Sequence, residues 1–144
     1  MILKVVLLHP DAVAPAYAHP TDAGADLVVT EGGTLRPGEM RDFACGLAIE
    51  PPLGYFYDIR PRSSTLRKRG LLIHTGTIDN GFRGPLYVYA WNTTNHDVTV
   101  EPGDRLAQMV LLPSVQPVIK VVEELSDSDR GTGGFGSTGS RGAL

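Results

Sequence analysis

Cysteine occurs once in the 144 residues, so no disulfide can form within the chain, and Cys45 stands alone in the apolar stretch FACGLAIE. A reactive thiolate needs basic neighbours, which are missing from the local sequence. A buried structural thiol in a reducing, intracellular compartment is therefore expected. Long apolar runs are also missing: nothing approaches the ~18 consecutive apolar residues of a membrane span. The opening MILKVVLLHPD has no basic region before its apolar run and no small-residue cleavage pattern after it, so it is read as a first strand. His9, His19, His74 and His96 stand singly, without a Cys or His at zinc-ligand spacing, which argues against structural zinc. The formal net charge of -3 lacks the basic excess that nucleic-acid binding needs, and a GxxxxGK[ST] phosphate loop is absent. No nucleic-acid or membrane partner is expected, and any phosphate chemistry must be local.

Helical periodicity is scarce as well, because 11 prolines and 17 glycines interrupt the chain every few residues. Short strands fit instead, at 2–9, 26–30, 41–50, 55–60, 71–75, 86–92, 98–100, 106–113 and 119–125. In LYVYAWN, Tyr87, Tyr89 and Trp91 alternate with Val88, Ala90 and Asn92, as in a strand with a packed layer on each face. Turn residues at PGE, PPLG, DNG, TTN and PGD separate the strands at sandwich or barrel spacing. The composition, 42% hydrophobic and 20% charged, suits one soluble all-β domain over 1–125. The segment STLRKRG (64–70) is the one short helix predicted, started by its serines and stopped by Gly70. From Ser126 onward the chain is too poor in apolar residues to form a core of its own, and 126–144 reads as a glycine-rich arm.

Several stretches admit both a plain and a chemical reading. IRPRSSTLRKRG is either a solvated basic turn or an anion site, with an arginine fork, two hydroxyls and helix-start N–H groups. Asp79, before Asn-Gly, is either a turn residue bonding its own backbone or an ionised carboxylate that takes a proton from water. Asp22 and Asp26 in DAGADL, and Asp104, Arg105 and Gln108 in PGDRLAQ, are either turn and strand-edge residues or part of a hard-oxygen Mg²⁺ site completed by water and substrate phosphates.

Taken in order, DAGADL, PRSS, GTIDNGFRG, PGDRLAQ and RGTGGFGSTG closely resemble the five ordered motifs of the homotrimeric dUTPase family, over residues 22–139. The resemblance implies a distorted jelly-roll β fold with a flexible C-terminal arm, and three subunits that together build each active site. It also implies Mg²⁺-dependent hydrolysis of dUTP to dUMP and pyrophosphate, which keeps uracil out of DNA and supplies dUMP for thymidylate synthesis. Asp79 would be the general base activating water for attack on the α-phosphorus, with Gln108 near that phosphate. Asp26 would hold Mg²⁺ through water, and Arg62, Ser63 and Ser64 would bind phosphates. Thr75, Gly76, Thr77 and Ile78 would recognise uracil by backbone groups, whose fixed donors and acceptors match uracil and oppose cytosine. Phe82 would pack under the deoxyribose. In the arm, Arg130 would meet the γ-phosphate and Phe135 would stack over the uracil. Gly134, Gly136 and Ser137 would complete its substrate contacts, with the glycines letting backbone approach the phosphates.

Phe82 replaces the family's usual tyrosine, which bears on ribose discrimination, and Ser64-Thr65-Leu66 replaces the commoner Gly-Leu-Ala. Two other readings compete. A dCTP deaminase would share the fold but needs a glutamate about where Tyr89 stands. A non-enzymatic binding module would not need Asp79, Asp26 and Arg130.

Overall fold

The alternation in LYVYAWN becomes one long strand, and the other strands assemble around its buried side. A computed structural model describes residues 1–133 of the chain. Its strands are β1 (Lys4–Leu7), β2 (Gly24–Val28), β3 (Gly33–Leu35), β4 (Met40–Glu50), β5 (Tyr55–Pro61), β6 (Leu71–Ile73), β7 (Gly76–Ile78), β8 (Pro85–Asn92), β9 (Val98–Val100) and β10 (Arg105–Pro113), with one helix, α1 (Ser63–Arg69), between β5 and β6. All pairings are antiparallel. One sheet runs β1-β4-β8-β6, a second β2-β10-β5-β7, and β3 pairs with β9 in a two-stranded ladder. The all-β, jelly-roll-like expectation is met.

Inward-facing side chains from the two larger sheets and the small ladder share one core: Leu27, Leu35, Phe43, Leu47, Leu71, Leu86, Leu106 and Met109 are fully buried. Each contributes roughly 1.5–3 kcal/mol relative to exposure. Asn92, also fully buried, is fully engaged: its amide donates to the carbonyls of Leu35 and His96, and its oxygen accepts from Thr94. It ties the end of β8 to β3 and to the turn before β9.

Four sequence expectations need correction. β8 has one covered face within the chain; Tyr87, Tyr89 and Trp91 on the other are 46%, 40% and 42% exposed. Across that open face Trp91 lies opposite Met40 on β4 and Leu72 on β6, both also exposed, so an apolar row crosses three strands without a cover. The segment predicted as a strand at 119–125 forms none: the last strand among the described residues ends at Pro113, and Val115, Val118, Ile119, Val121 and Leu125 are exposed. An apolar run becomes a strand only where a sheet edge and a core receive it. The stretch 71–75 divides, because β6 ends at Ile73 and the chain crosses at His74 and Thr75 into β7 of the other sheet. The helix begins at Ser63 with Arg62 at its N-cap and no side-chain cap bond, whereas Gly70 ends it as expected, in the left-handed conformation at φ 66°.

Candidate active site

Three neighbouring strands put one row of polar side chains on the outer face of the second sheet. Gln108 on β10 is in register with Asp26 on β2 and with Arg60 on β5. The flanking Ala25, Leu27, Ala107, Met109 and Ile59 point into the core, so alternation alone forces this row outward. α1 follows directly from β5 and sets Arg62, Ser63 and Ser64 against the same face. These residues, with Asp22, Gly24 and Arg60, line a cavity of about 400 Å³.

The row is held by directed contacts. Arg62 Nε lies 2.8 Å from Asp26 Oδ1, and Arg105 Nη1 lies 3.6 Å from Asp26 Oδ2. Gln108 donates its amide to the Pro61 carbonyl at 3.0 Å. A Cβ at position 24 would collide with the Gln108 side chain, so the glycine of DAGADL is what admits Gln108 to the row. Asp22 caps the preceding turn by accepting from the His19 N–H. Three of the five motifs noted in sequence, DAGADL, PRSS and PGDRLAQ, thus meet here.

The fourth, GTIDNGFRG, does not reach this cavity in the same chain. Among the described residues β7 is an edge strand paired with β5 alone, with Ile78 opposite Tyr57, Thr77 opposite Asp58 and Gly76 opposite Ile59. Continuing that register, Asp79 falls opposite Phe56, while Gln108 is opposite Arg60. At ~3.3 Å per residue and ~4.8 Å between strands, the Asp79 and Gln108 Cα atoms are about 16 Å apart, more than a carboxylate and one water can span. Among the described residues no strand covers the outer edge of β7, which leaves backbone donors and acceptors beside Thr75 to Ile78 unpaired by the sheet, and none of these residues occupies the space a Cβ would take at Gly76.

The Asp79 turn is itself well anchored. Asn80 donates its amide to the carbonyls of Pro51 and Pro52 at 2.9 and 2.8 Å, and the Phe82 N–H donates to the Asp79 carbonyl at 3.1 Å. Phe82 lies over Gly84, where any Cβ would overlap its ring, and the ring is 43% exposed. Arg130 is exposed and turned onto its own loop, donating to the Gly133 carbonyl at 2.8 Å. Gly134, Phe135, Gly136 and Ser137 lie outside the described residues. Tyr89 sits on β8 in the other sheet, on the open face, away from the polar row.

Among the described residues no group of three or more His, Cys, Asp or Glu side chains is arranged to enclose a metal. Two carboxylates line the cavity; Asp22 is turned to the His19 N–H, and Asp26, neighboured by two guanidinium groups, could hold a Mg²⁺ through water, completed by ligand phosphates, since Mg²⁺ keeps much of its hydration.

Sequence reasoning placed Arg60 in the basic stretch IRPRSSTLRKRG without a role of its own, and passed over Gly24 as a site residue. Arg60 pairs with Asp58 at 2.7 Å, two residues before it on the same strand face, a spacing visible in YFYDIR. Gly24 was visible as a turn glycine, but its contact with Gln108, far along the chain, has no local signal.

Comparison with known proteins shows the family. The dUTPase family model matches residues 11–139. The chain belongs to the dUTPase family. It is 46% identical to the deoxyuridine 5'-triphosphate nucleotidohydrolase of Thermobifida fusca (strain YX), over 98% of this chain and 80% of that one. It is 43% identical to the protein of the same name from Nautilia profundicola, over 96% and 99%. Among solved structures, the Staphylococcus bacteriophage 80alpha dUTPase G164S mutant with dUpNHpp superimposes with a TM-score of 0.91 at 32% identity, covering 96% of this chain and 98% of that one. The D95N mutant of the dUTPase from phage phi11 of S. aureus, described with a coordinated structural Mg(II) ion, gives 0.84 at 29% identity over 88% and 100%.

Proposed function

We propose that this dUTPase-family chain hydrolyses dUTP to dUMP and pyrophosphate with Mg²⁺, at sites each shared between copies of the chain in a homotrimer. The observation that carries the reading is the convergence of Asp26, Arg62, Ser63, Ser64 and Gln108 on one cavity in a member of this family. Guanidinium, hydroxyl and amide groups lining a cavity suit a triphosphate, and the Asp26 carboxylate suits its hydrated cation.

Within this reading, Asp79 takes a proton from the water that attacks the α-phosphorus, and Gln108 orients that phosphate. The Asp79 side chain is exposed on its turn, where a carboxylate can take a proton from a water held beside it. When bound, Mg²⁺ neutralises charge on the phosphates; Asp26 holds it, and the chain's own donors fix the geometry for in-line displacement. The edge of β7 reads the N3 donor and O4 acceptor of uracil, and Phe82 supports the sugar. Arg130 and the arm residues Gly134, Phe135, Gly136 and Ser137 close over the nucleotide.

Two features favour a shared site. The Asp79 turn is too far from the polar row of its own chain, so another copy must bring one to the other. The open apolar face carrying Met40, Leu72, Tyr87, Tyr89 and Trp91 gives copies a surface to bury, and exposed apolar groups at Val115 to Leu125 give the chain a segment that other copies can cover.

The test is incubation with Mg²⁺ and, separately, dUTP, dCTP, dTTP and UTP, with products separated by ion exchange. dUMP and pyrophosphate from dUTP alone is the expected result; a deaminated product from dCTP, or no turnover of any, would refute it.

A further inference from the structure

Three successive residues at the start of β10 are each gripped by a different side chain of the α1 segment. Arg69 Nη1 lies 2.8 Å from Asp104 Oδ2, while its Nη2 donates to the Thr99 carbonyl at 2.6 Å. Arg62 Nη1 donates to the Arg105 carbonyl at 3.2 Å. Between them the Thr65 hydroxyl donates to the Leu106 carbonyl at 2.9 Å, forty-one residues away.

Leu106 is where the register of β10 breaks. Arg105 is opposite Val28 and Ala107 opposite Leu27, so Leu106 has no partner on β2, and pairing with β5 begins only at Ala107. Leu106 and Ala107 are both fully buried, which interrupts the alternation before it resumes with Gln108 on the cavity face. A bulge leaves backbone groups outside the ladder, and a buried one left unmet costs on the order of 1–3 kcal/mol. Thr65, only 2% exposed, spends its hydroxyl there rather than on its own helix, as threonine in a helix commonly does.

We propose that Thr65 and Arg69 are positioning residues: they lock α1 onto the bulge of β10, so that Arg62, Ser63 and Ser64 face Asp26 and Gln108 at the spacing a diphosphate group needs. The inference rests on reading that cavity as the phosphate site. α1 is 7 residues long, and no side chain caps its N-terminus. Its first turn is therefore oriented by these cross-links and by packing, and without them Ser63 and Ser64 can shift against Gln108. Displacements of about 1 Å at such a site cost up to ~10²-fold in function.

The experiment compares wild type, Thr65→Val, Thr65→Ser and Arg69→Lys as full chains. Valine keeps the shape and removes the donor, serine keeps the donor, and lysine keeps the charge but loses the two-pronged grip. Binding of inorganic pyrophosphate and of dUMP is measured by calorimetry, and KM and kcat for dUTP by turnover. The expected result is pyrophosphate affinity about tenfold weaker in Thr65→Val, within twofold of wild type in Thr65→Ser, and several-fold weaker in Arg69→Lys. dUMP affinity stays nearly constant, and the loss in dUTP turnover falls mainly on KM.

Unchanged pyrophosphate affinity in Thr65→Val overturns the proposal, as does a Thr65→Ser chain as weak as Thr65→Val, which would point to packing. If Thr65→Val does not fold, Arg69→Lys decides on the same readout, and wild-type affinity there overturns it. A wild-type chain that binds pyrophosphate but leaves dUTP intact removes the functional reading alone, because the pyrophosphate series still decides the positioning roles.

Discussion

Asp26 and Arg62 form an ion pair of 2.8 Å across the cavity, with the Asp26 side chain largely shielded and the guanidinium also reaching the Arg105 carbonyl. The carboxylate proposed to hold hydrated Mg²⁺ is therefore fixed by the residue proposed to hold phosphate. Asp26→Asn keeps the shape and removes the charge. Its Mg²⁺ requirement, read as the concentration giving half-maximal turnover, is expected to rise about 10- to 100-fold, as for the loss of other outer-shell metal partners. An unshifted Mg²⁺ titration would separate Asp26 from the metal.

Asp79→Asn is expected to bind dUTP within about twofold of wild type and to lose about 10²–10⁴ in kcat, the range of a lost general base. The turn should survive, because Asn80 and the Phe82 N–H hold it by contacts that do not involve the Asp79 carboxylate. Equilibrium binding and single-turnover rates measured on one preparation distinguish this from a lost binding site; unchanged turnover would dismiss Asp79.

Trp91 lies in the uncovered apolar row with Met40 and Leu72. If that face is buried between copies, Trp91→Glu places a charge in the interface and is expected to shift the chain from trimer to monomer in sedimentation velocity, with loss of turnover. A variant that sediments like wild type would put the interface elsewhere.

Burial in the core pushes the Cys45 thiol up from an ordinary 9.0 to about 12. The unfolded chain releases this proton near 9.0, whereas the folded chain keeps it. Between those values the unfolded state binds fewer protons, and stability falls as pH rises. Denaturant midpoints should decline above pH 9 more steeply in wild type than in Cys45→Ala. At pH 8 a thiol reagent should label only unfolded protein; rapid labelling of native chain would contradict the burial.

What was legible in the sequence was local. The Tyr87-to-Asn92 alternation, the Gly70 helix stop and the strands from 41 to 60 follow from side-chain period and turn chemistry, which adjacent residues carry. β3 and β9 are three residues each, and β3 had too little pattern to be read. The apolar residues of 119–125 look like a strand because sequence records burial demand but not what meets it. The candidate site was legible as five stretches, through resemblance. Their division, with Asp26, Arg62 and Gln108 together and Asp79 apart, depends on strand order β2-β10-β5-β7, which no single stretch encodes. The bulge at Leu106, and hence the reach of Thr65 across to it, is likewise a property of pairing between distant strands.

Mixing two inactive chains shows whether a second copy completes the nucleotide site. Asp79→Asn and Arg62→Gln are unfolded together in equal amounts, refolded and assayed for pyrophosphate release from dUTP. If Asp79 of one copy serves the Arg62 cavity of another, about a quarter of the sites in randomly mixed trimers are intact, and activity near that fraction of wild type returns. If both residues serve one site within a single chain, every site carries a lesion and the mixture stays as inactive as its components.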